Sequence, residues 1–381
     1  MRVYYECASG QIPKRQEELC GDSVIFSWHS DWLMMVLSDG LGSGVKANIL
    51  ATLTSRMVKT MLENEIPLGE VVRTVSETLP VCRVRKLAYS TFSVAQLFSS
   101  GEGRLVEFDS PEAFCFRDRK PQGLAWESRD VARKNVRECK LDLRVGDWLV
   151  FVSDGVISAG IGGIYPLGWG WDQAAAYIGN HIGQNTTANE LVDSVLEAVR
   201  NLYAGPPGDD VTVAAVKVRR KRLLTLLFGP PLKCEDDPVV VDLLMKSTGR
   251  RVVCGGTTAS IVARALDKQI DVDLATMTED TPPLGSIEGL DLVTEGILTM
   301  TRLVAMLAEN KTAETQKYAV DAASALLRML DESDSIQILV GQAKNPAHQD
   351  PNLPVEIKTE LARELQAGLL KRNKECSIDY F

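Results

Sequence analysis

The residues of this chain best suited to chemistry are carboxylates standing where apolar runs begin or end. "LMMVLSDGLGSG" (33–44) and "WLVFVSDGVISAG" (148–160) each carry an apolar run into Ser-Asp-Gly, at Asp39 and Asp154. "CGDSVIFSW" sets Asp22 at the start of a further run, and "PPGDDVTVAAVKV" sets Asp209 and Asp210 before another. One Asp-Gly pair is explained by a hairpin turn; the recurrence of such endings points to a set. Carboxylates collected at neighbouring strand ends repel one another and rise in pKa unless a cation stands among them. Mg2+ and Mn2+ take oxygen ligands and retain several waters, so a few Asp side chains and one backbone carbonyl suffice. Gly40 lets the backbone turn so that its carbonyl can face such an ion.

Positioning these carboxylates requires strands, and strands dominate the first part of the chain. "VYYEC", "DSVIFSW", "WLMMVLS", "FSVAQLF", "RLVEFD", "EAFCFR", "WLVFVS" and "VTVAAVKV" are short strand-like runs, several joined across polar turns such as "SSGEG". Helical periodicity interrupts them twice, in "GVKANILATLTSRMVKTMLEN" with "LGEVVRTVSETLPV", and in "GWDQAAAYIGNHI" with "ANELVDSVLEAVRNLY". Strand runs broken by helix pairs predict an α+β fold with helix pairs packed on antiparallel sheets. A basic run, Gly-Pro-Pro and an acidic cluster over 219–237 suggest a boundary, giving domains at 1–220 and 236–381 with a linker at 221–235. Beyond it strands and helices alternate, with helices expected at 291–309, 312–330 and 355–372. That rhythm predicts a smaller α/β domain with a partly parallel sheet.

Composition excludes several classes. The net charge is −9, so no global field attracts nucleic acid or an anionic membrane; "KVRRKR" (217–222) is the local exception. No apolar run approaches a membrane span and no signal peptide is evident, so a cytoplasmic protein is expected. The eight cysteines form no C-x-x-C pair, and His29, His181 and His348 offer no zinc spacing.

The order G-D-S, then S-D-G-L-G-S-G running into a helix, then F-V-S-D-G, then G-D-D-V-T-V resembles the metal-dependent PP2C-type protein phosphatases, in their bacterial SpoIIE-like branch. The resemblance covers about residues 1–218. It implies an α-β-β-α sandwich of antiparallel sheets and a binuclear Mn2+ or Mg2+ centre. In that centre Asp39 would bridge both ions, Gly40 would lend its carbonyl, and Asp154 and Asp209 would complete one ion's ligands. Asp22 would reach the cluster directly or through water, with Asp210 in reserve for Asp209. It further implies hydrolysis of phosphoserine or phosphothreonine on a regulatory protein, by a water whose pKa the ions lower. The early Arg with which some relatives hold phosphate has no match; Lys14 and Arg15 are nearby. Two other readings compete. One is a weakly active scaffold that binds phosphoproteins. The other is a nucleotide-binding loop at 39–44, against which stand the G-x-G-x-G spacing and Asp39 where a pyrophosphate would approach.

In the second domain "VVCGGTTASIVARAL" reads as strand, glycine turn and helix. Gly255, Gly256, Thr257 and Thr258 would there expose N–H groups to a small anionic effector, a nucleotide or phosphate. An ordinary tight turn with Thr capping the next helix is the simpler reading.

Overall fold

The structure, a computed structural model, describes residues 2–78, 90–131, 134–163, 165–277, 282–343 and 357–381. The chain divides into two compact units, Met1–Arg220 and Lys221–Phe381. In the first, the order is β1 (Tyr4–Ile12), β2 (Asp22–Trp28), β3 (Trp32–Gly40), α1 (Gly44–Glu63), α2 (Leu68–Thr78), β4 (Ser90–Phe98), β5 (Glu102–Phe108) and β6 (Phe114–Arg117). There follow β7 (Lys120–Gln122), β8 (Glu127–Val131), β9 (Lys134–Asp142), β10 (Trp148–Val152), α3 (Asp154–Ile157), α4 (Trp171–His181), α5 (Ala188–Tyr203) and β11 (Val211–Arg219). Two antiparallel sheets result, ordered β2-β3-β4-β5-β9-β8 and β1-β11-β10-β6-β7.

Three apolar layers hold this unit. Between the sheets lie Leu33, Met35, Leu37 and Leu97 of one, with Leu149, Phe151, Ala214 and Val216 of the other. On the far side of the first sheet, Met34, Val36 and Phe92 pack against Val58 and Leu62 of α1 and Val71 and Val75 of α2. On the far side of the second, Val150, Val213 and Ala215 meet Ile178 of α4 and Leu191, Val195 and Val199 of α5. β3 is thus buried on both faces, which is why "LMMVL" reads as a continuous apolar run without alternation. Helix α5 starts sharply because Thr187 and Glu190 form a capping box, Thr187 N donating to Glu190 Oε2 at 2.8 Å.

The second unit runs β12 (Leu223–Phe228), α6 (Asp237–Lys246), β13 (Arg250–Cys254), α7 (Gly256–Leu266), β14 (Asp271–Asp273), β15 (Leu284–Ser286) and β16 (Leu292–Thr294). It continues with α8 (Ile297–Ala308), α9 (Ala322–Glu332), β17 (Ser335–Val340), α10 (Ile357–Lys371) and β18 (Glu375–Tyr380). Its sheet has the order β14-β15-β16-β13-β12-β17-β18, parallel from β16 to β18 with β14 and β15 added antiparallel. One face packs on α8, α9 and α10 and the other on α6 and α7. This is the α/β unit expected, attached to an α+β sandwich.

Three local expectations are corrected. The proposed linker at 221–235 contains β12, an interior strand of the second unit's sheet: Leu226, Leu227 and Phe228 are almost wholly buried. Gly-Pro-Pro follows that strand instead of separating two units. Within 291–309, Leu292–Thr294 is a buried strand and the helix starts only after Gly296; a short apolar run does not separate strand from helix by periodicity. Within 312–330 the helix starts at Ala322, where the Asp321 side chain accepts from Ser324 N at 3.1 Å. Within the basic run, Arg219 pairs with Glu6 and Lys221 with Glu375. The described cysteines are free thiols; Cys82 and His348 lie outside the described residues. Among the described residues no helix is long and apolar enough to cross a membrane.

Candidate active site

Alternation along the strands decides which side chains meet at the end of the sandwich. On β3, Leu33, Met35 and Leu37 face the other sheet, so Asp39 falls on that face too. The register sets Asp22 of β2 directly opposite Asp39. On β11, Ala214, Val216 and Val218 face inward, and Thr212 continues the series; on β10, Leu149 and Phe151 do, and Ser153 follows. Each strand therefore exchanges its inward apolar residues for a polar one at the same end.

The two sheets are tied there. Thr212 Oγ1 donates to Asp22 Oδ2 at 2.6 Å, across a sequence separation of 190 residues. Gln11 Nε2 donates to the Asp22 carbonyl at 3.2 Å and to Thr212 Oγ1 at 3.1 Å. Thr212 N donates to Ser153 Oγ at 2.9 Å, and Ser153 also bonds the Asp22 carboxyl. Asp154 then opens α3, directly beside this knot. Gly155 permits the approach: a Cβ there would stand 2.0 Å from the Asp210 carbonyl oxygen. The loop between β1 and β2 closes over the end, with Lys14 N donating to Asp210 Oδ1 at 2.9 Å and Lys14 Nζ 3.6 Å from Asp209 Oδ1. Farther along that loop, Glu17 Oε1 accepts from Ser43 Oγ at 3.0 Å and sets its charge at the positive end of α1.

The electrostatics follow from this crowding. Burial, reinforced by the charges of Asp22, Asp154 and Asp209, pushes Asp39 up to about 9. Burial pushes Asp22 up to about 6; bonds from Thr212 and Ser153 oppose the rise, while Asp210 and Asp154 add to it. Asp154 is raised as well, first by burial and then by Asp209. Asp39 stands close enough to both Asp22 and Asp154 that the three acids titrate together. Asp210 Oδ2 is buried without a partner.

The structure therefore brings Asp22, Asp39, Asp154 and Asp209 within electrostatic reach of one another. Asp210 is turned toward Gly21 and the Lys14 amide. Among the described residues, no group of three or more His, Cys, Asp or Glu side chains stands at metal-holding spacing. The donor set nevertheless fits a hard divalent cation. It is all oxygen, and mutual repulsion adds to burial in raising Asp22, Asp39 and Asp154, a condition that a cation would relieve. Sequence reasoning passed over Thr212, Ser153 and Gln11. A signal existed for the first two, since Thr212 lies two residues after Asp210 and Ser153 directly precedes Asp154, each on an inward position.

In the second unit, Gly255 caps α7 with φ 123°, Gly256 and Thr257 are exposed in its first turn, and Thr258 is buried. A Cβ on Gly256 would lie 3.3 Å from Glu295 Oε1, so a carboxylate already stands beside this turn.

Residues 30–219 match the family model described as Stage II sporulation protein E (SpoIIE). No curated protein matches the chain. Among solved structures, it is similar to the PP2C phosphatase domain with a regulatory-domain fragment of the cell fate determinant SpoIIE from Bacillus subtilis. The identity is 19%, over 57% of this chain and 64% of that one, with a TM-score of 0.49. It is also similar to the RsbU and RsbW domains of a Mycobacterium tuberculosis protein, at 18% identity, 64% and 68% coverage and a TM-score of 0.47. A third likeness is to RsbX in complex with magnesium, at 15% identity, 56% and 95% coverage and a TM-score of 0.42. The family match, and not these distant likenesses, carries the assignment.

Proposed function

The N-terminal unit of this chain belongs to the PP2C-type SpoIIE family, and from that premise we propose that it is a metal-dependent phosphatase acting on phosphoserine or phosphothreonine of a regulatory protein. The observation that carries this reading is the meeting of Asp22, Asp39, Asp154 and Asp209, drawn from strand ends of both sheets, where burial and the neighbouring carboxylates push Asp22, Asp39 and Asp154 upward. Asp39, Asp154 and Asp209 would hold Mn2+ or Mg2+, with the Gly40 carbonyl contributing and Asp22 reaching the cluster from across the strand pair. When bound, such cations lower the pKa of water and offset charge on phosphoryl oxygens. The chain's own residues do the rest. Thr212 and Ser153 hold Asp22 in one orientation, opposite Asp39 across the strand pair. Lys14, beside Asp209 and about one-third exposed, is the cation placed to meet an arriving phosphate.

The test is phosphate release from p-nitrophenyl phosphate and from phosphoserine peptides with Mn2+, Mg2+ or EDTA, for the wild type, Asp39→Ala and Asp154→Ala. Activity that needs metal and vanishes in both folded variants is the expected result. Metal binding without turnover of any phosphorylated substrate would replace the enzyme with a phosphoprotein-binding scaffold, and absence of metal binding would reduce both Ser-Asp-Gly sequences to turns.

A further inference from the structure

The parallel strands of the second unit run in chain order third, second, first, fourth, fifth across the sheet, as β16, β13, β12, β17 and β18. The order reverses between β12 and β17, and sheets of this kind bind ligands outside the carboxyl ends of their strands near such a reversal. At that edge the chain places glycine repeatedly. A Cβ on Gly296, the residue before α8, would lie 3.3 Å from Gly255 Cα, so the starts of α7 and α8 lie against each other. A Cβ on Gly229, after β12, would lie 2.9 Å from both the Gly341 carbonyl oxygen and Lys358 Nζ. Gly229 N donates to the Cys254 carbonyl at 3.2 Å, which joins the two halves of the edge.

Two hydroxyls there lack partners. Thr258, in the first turn of α7, is 1% exposed, and its Oγ1 is without a hydrogen bond. That oxygen lies 3.0 Å from where a Gly255 Cβ would stand, so it is aimed back at the helix start. A helical Thr ordinarily donates to the carbonyl four residues back, as Thr54 does to Leu50 at 2.9 Å. For Thr258 that is the Cys254 carbonyl, which accepts from Gly229 N instead. Thr299 holds the equivalent place in α8, fully buried and likewise unpartnered, and the Glu295 carbonyl behind it accepts from Thr294 Oγ1 at 2.9 Å. A third group is also out of place. Lys358 lies in the first turn of α10, where the helix dipole opposes a cation. Among the described residues its Nζ donates to backbone carbonyls, of Ala343 at 2.6 Å and Gly341 at 3.3 Å, and pairs with no carboxylate. Burial holds its pKa below the usual lysine value.

We propose that this edge binds a nucleoside phosphate. The N–H groups at the starts of α7 and α8, the Thr258 hydroxyl and the Lys358 ammonium face the phosphates. Glu295, beside Gly256, accepts from the ligand's hydroxyls and disfavours a bare phosphate ion. A ligand carrying both groups satisfies the two kinds of partner at once.

The experiment is calorimetric titration of the full chain with ATP, GTP and inorganic phosphate in EDTA, where the acids of the N-terminal unit repel phosphates. At least one nucleotide should bind at one site per chain, at least tenfold tighter than inorganic phosphate. Lys358→Met should weaken it about tenfold and Thr258→Val severalfold, while Glu295→Gln should narrow the gap to inorganic phosphate. The two weakening variants lie on different helices, so one that fails to fold leaves the other to decide. Absence of binding by every probe at millimolar concentration, affinity unchanged in both variants, or loss of binding in Asp39→Asn would overturn the proposal.

Discussion

Replacing Asp39 by Asn should stabilise the metal-free protein while abolishing its response to metal. Burial and the charges of Asp22, Asp154 and Asp209 raise Asp39 from 3.8 to about 9. The folded metal-free chain thus keeps a proton that the unfolded chain releases above about pH 4, so stability falls as pH rises from there to about 9. At about 1.4 kcal/mol per pH unit, over the roughly three units between 3.8 and 7, the cost at pH 7 is about 4 kcal/mol. Asn removes that cost, and its amide can donate to the neighbouring Asp22 and Asp154 carboxylates. Burying the amide takes part of this back, so a net gain of about 2 kcal/mol is expected, or about 4–8 °C in melting temperature for a unit of this size. The gain should vanish at pH 5, where the cost removed no longer exceeds that of burying the amide. All six tryptophans (Trp28, Trp32, Trp126, Trp148, Trp169 and Trp171) lie before residue 221, so their fluorescence follows the N-terminal unit alone. Melting in EDTA between pH 5 and 8 gives the comparison; repeating it with Mn2+ should raise the wild type and leave Asp39→Asn unmoved. A variant no more stable than the wild type at pH 7 in EDTA, or a wild type indifferent to pH, would refute the reasoning.

Two further substitutions probe the frame around the site. Thr212→Val removes the donor at 2.6 Å from Asp22 Oδ2; it should cost about 1–3 kcal/mol in urea unfolding followed by tryptophan fluorescence. If Asp22 serves a metal centre, the Mn2+ concentration for half activity should also rise about ten- to a hundredfold. Arg137→Met leaves Glu107, 1% exposed, without the guanidinium that donates to it at 2.7 Å. Burial already pushes Glu107 up to about 7 from 4.5, so the carboxylate form destabilises the fold as pH rises through that range. The variant should be only slightly weaker than the wild type at pH 5 and about 3 kcal/mol weaker at pH 8. A deficit independent of pH would assign the loss to packing.

The sequence was enough to place the strand ends, because an apolar run stopping at Ser-Asp-Gly is a local pattern that needs no partner to be read. It also determined the helix pairs, whose apolar spacing and caps, such as Thr187 with Glu190, are local as well. It misplaced β12 because Gly229-Pro230-Pro231 signals a turn without saying which strand it closes, and only pairing with both β13 and β17 makes "LLTLLF" central. The tertiary structure alone decided that Asp22 faces Asp39, and that Thr212, 190 residues away in the chain, orients it. Register and sheet stacking are relations between distant segments. The pKa shifts, the unpartnered Asp210 oxygen and the convergence of α7 with α8 exist only once those relations are made.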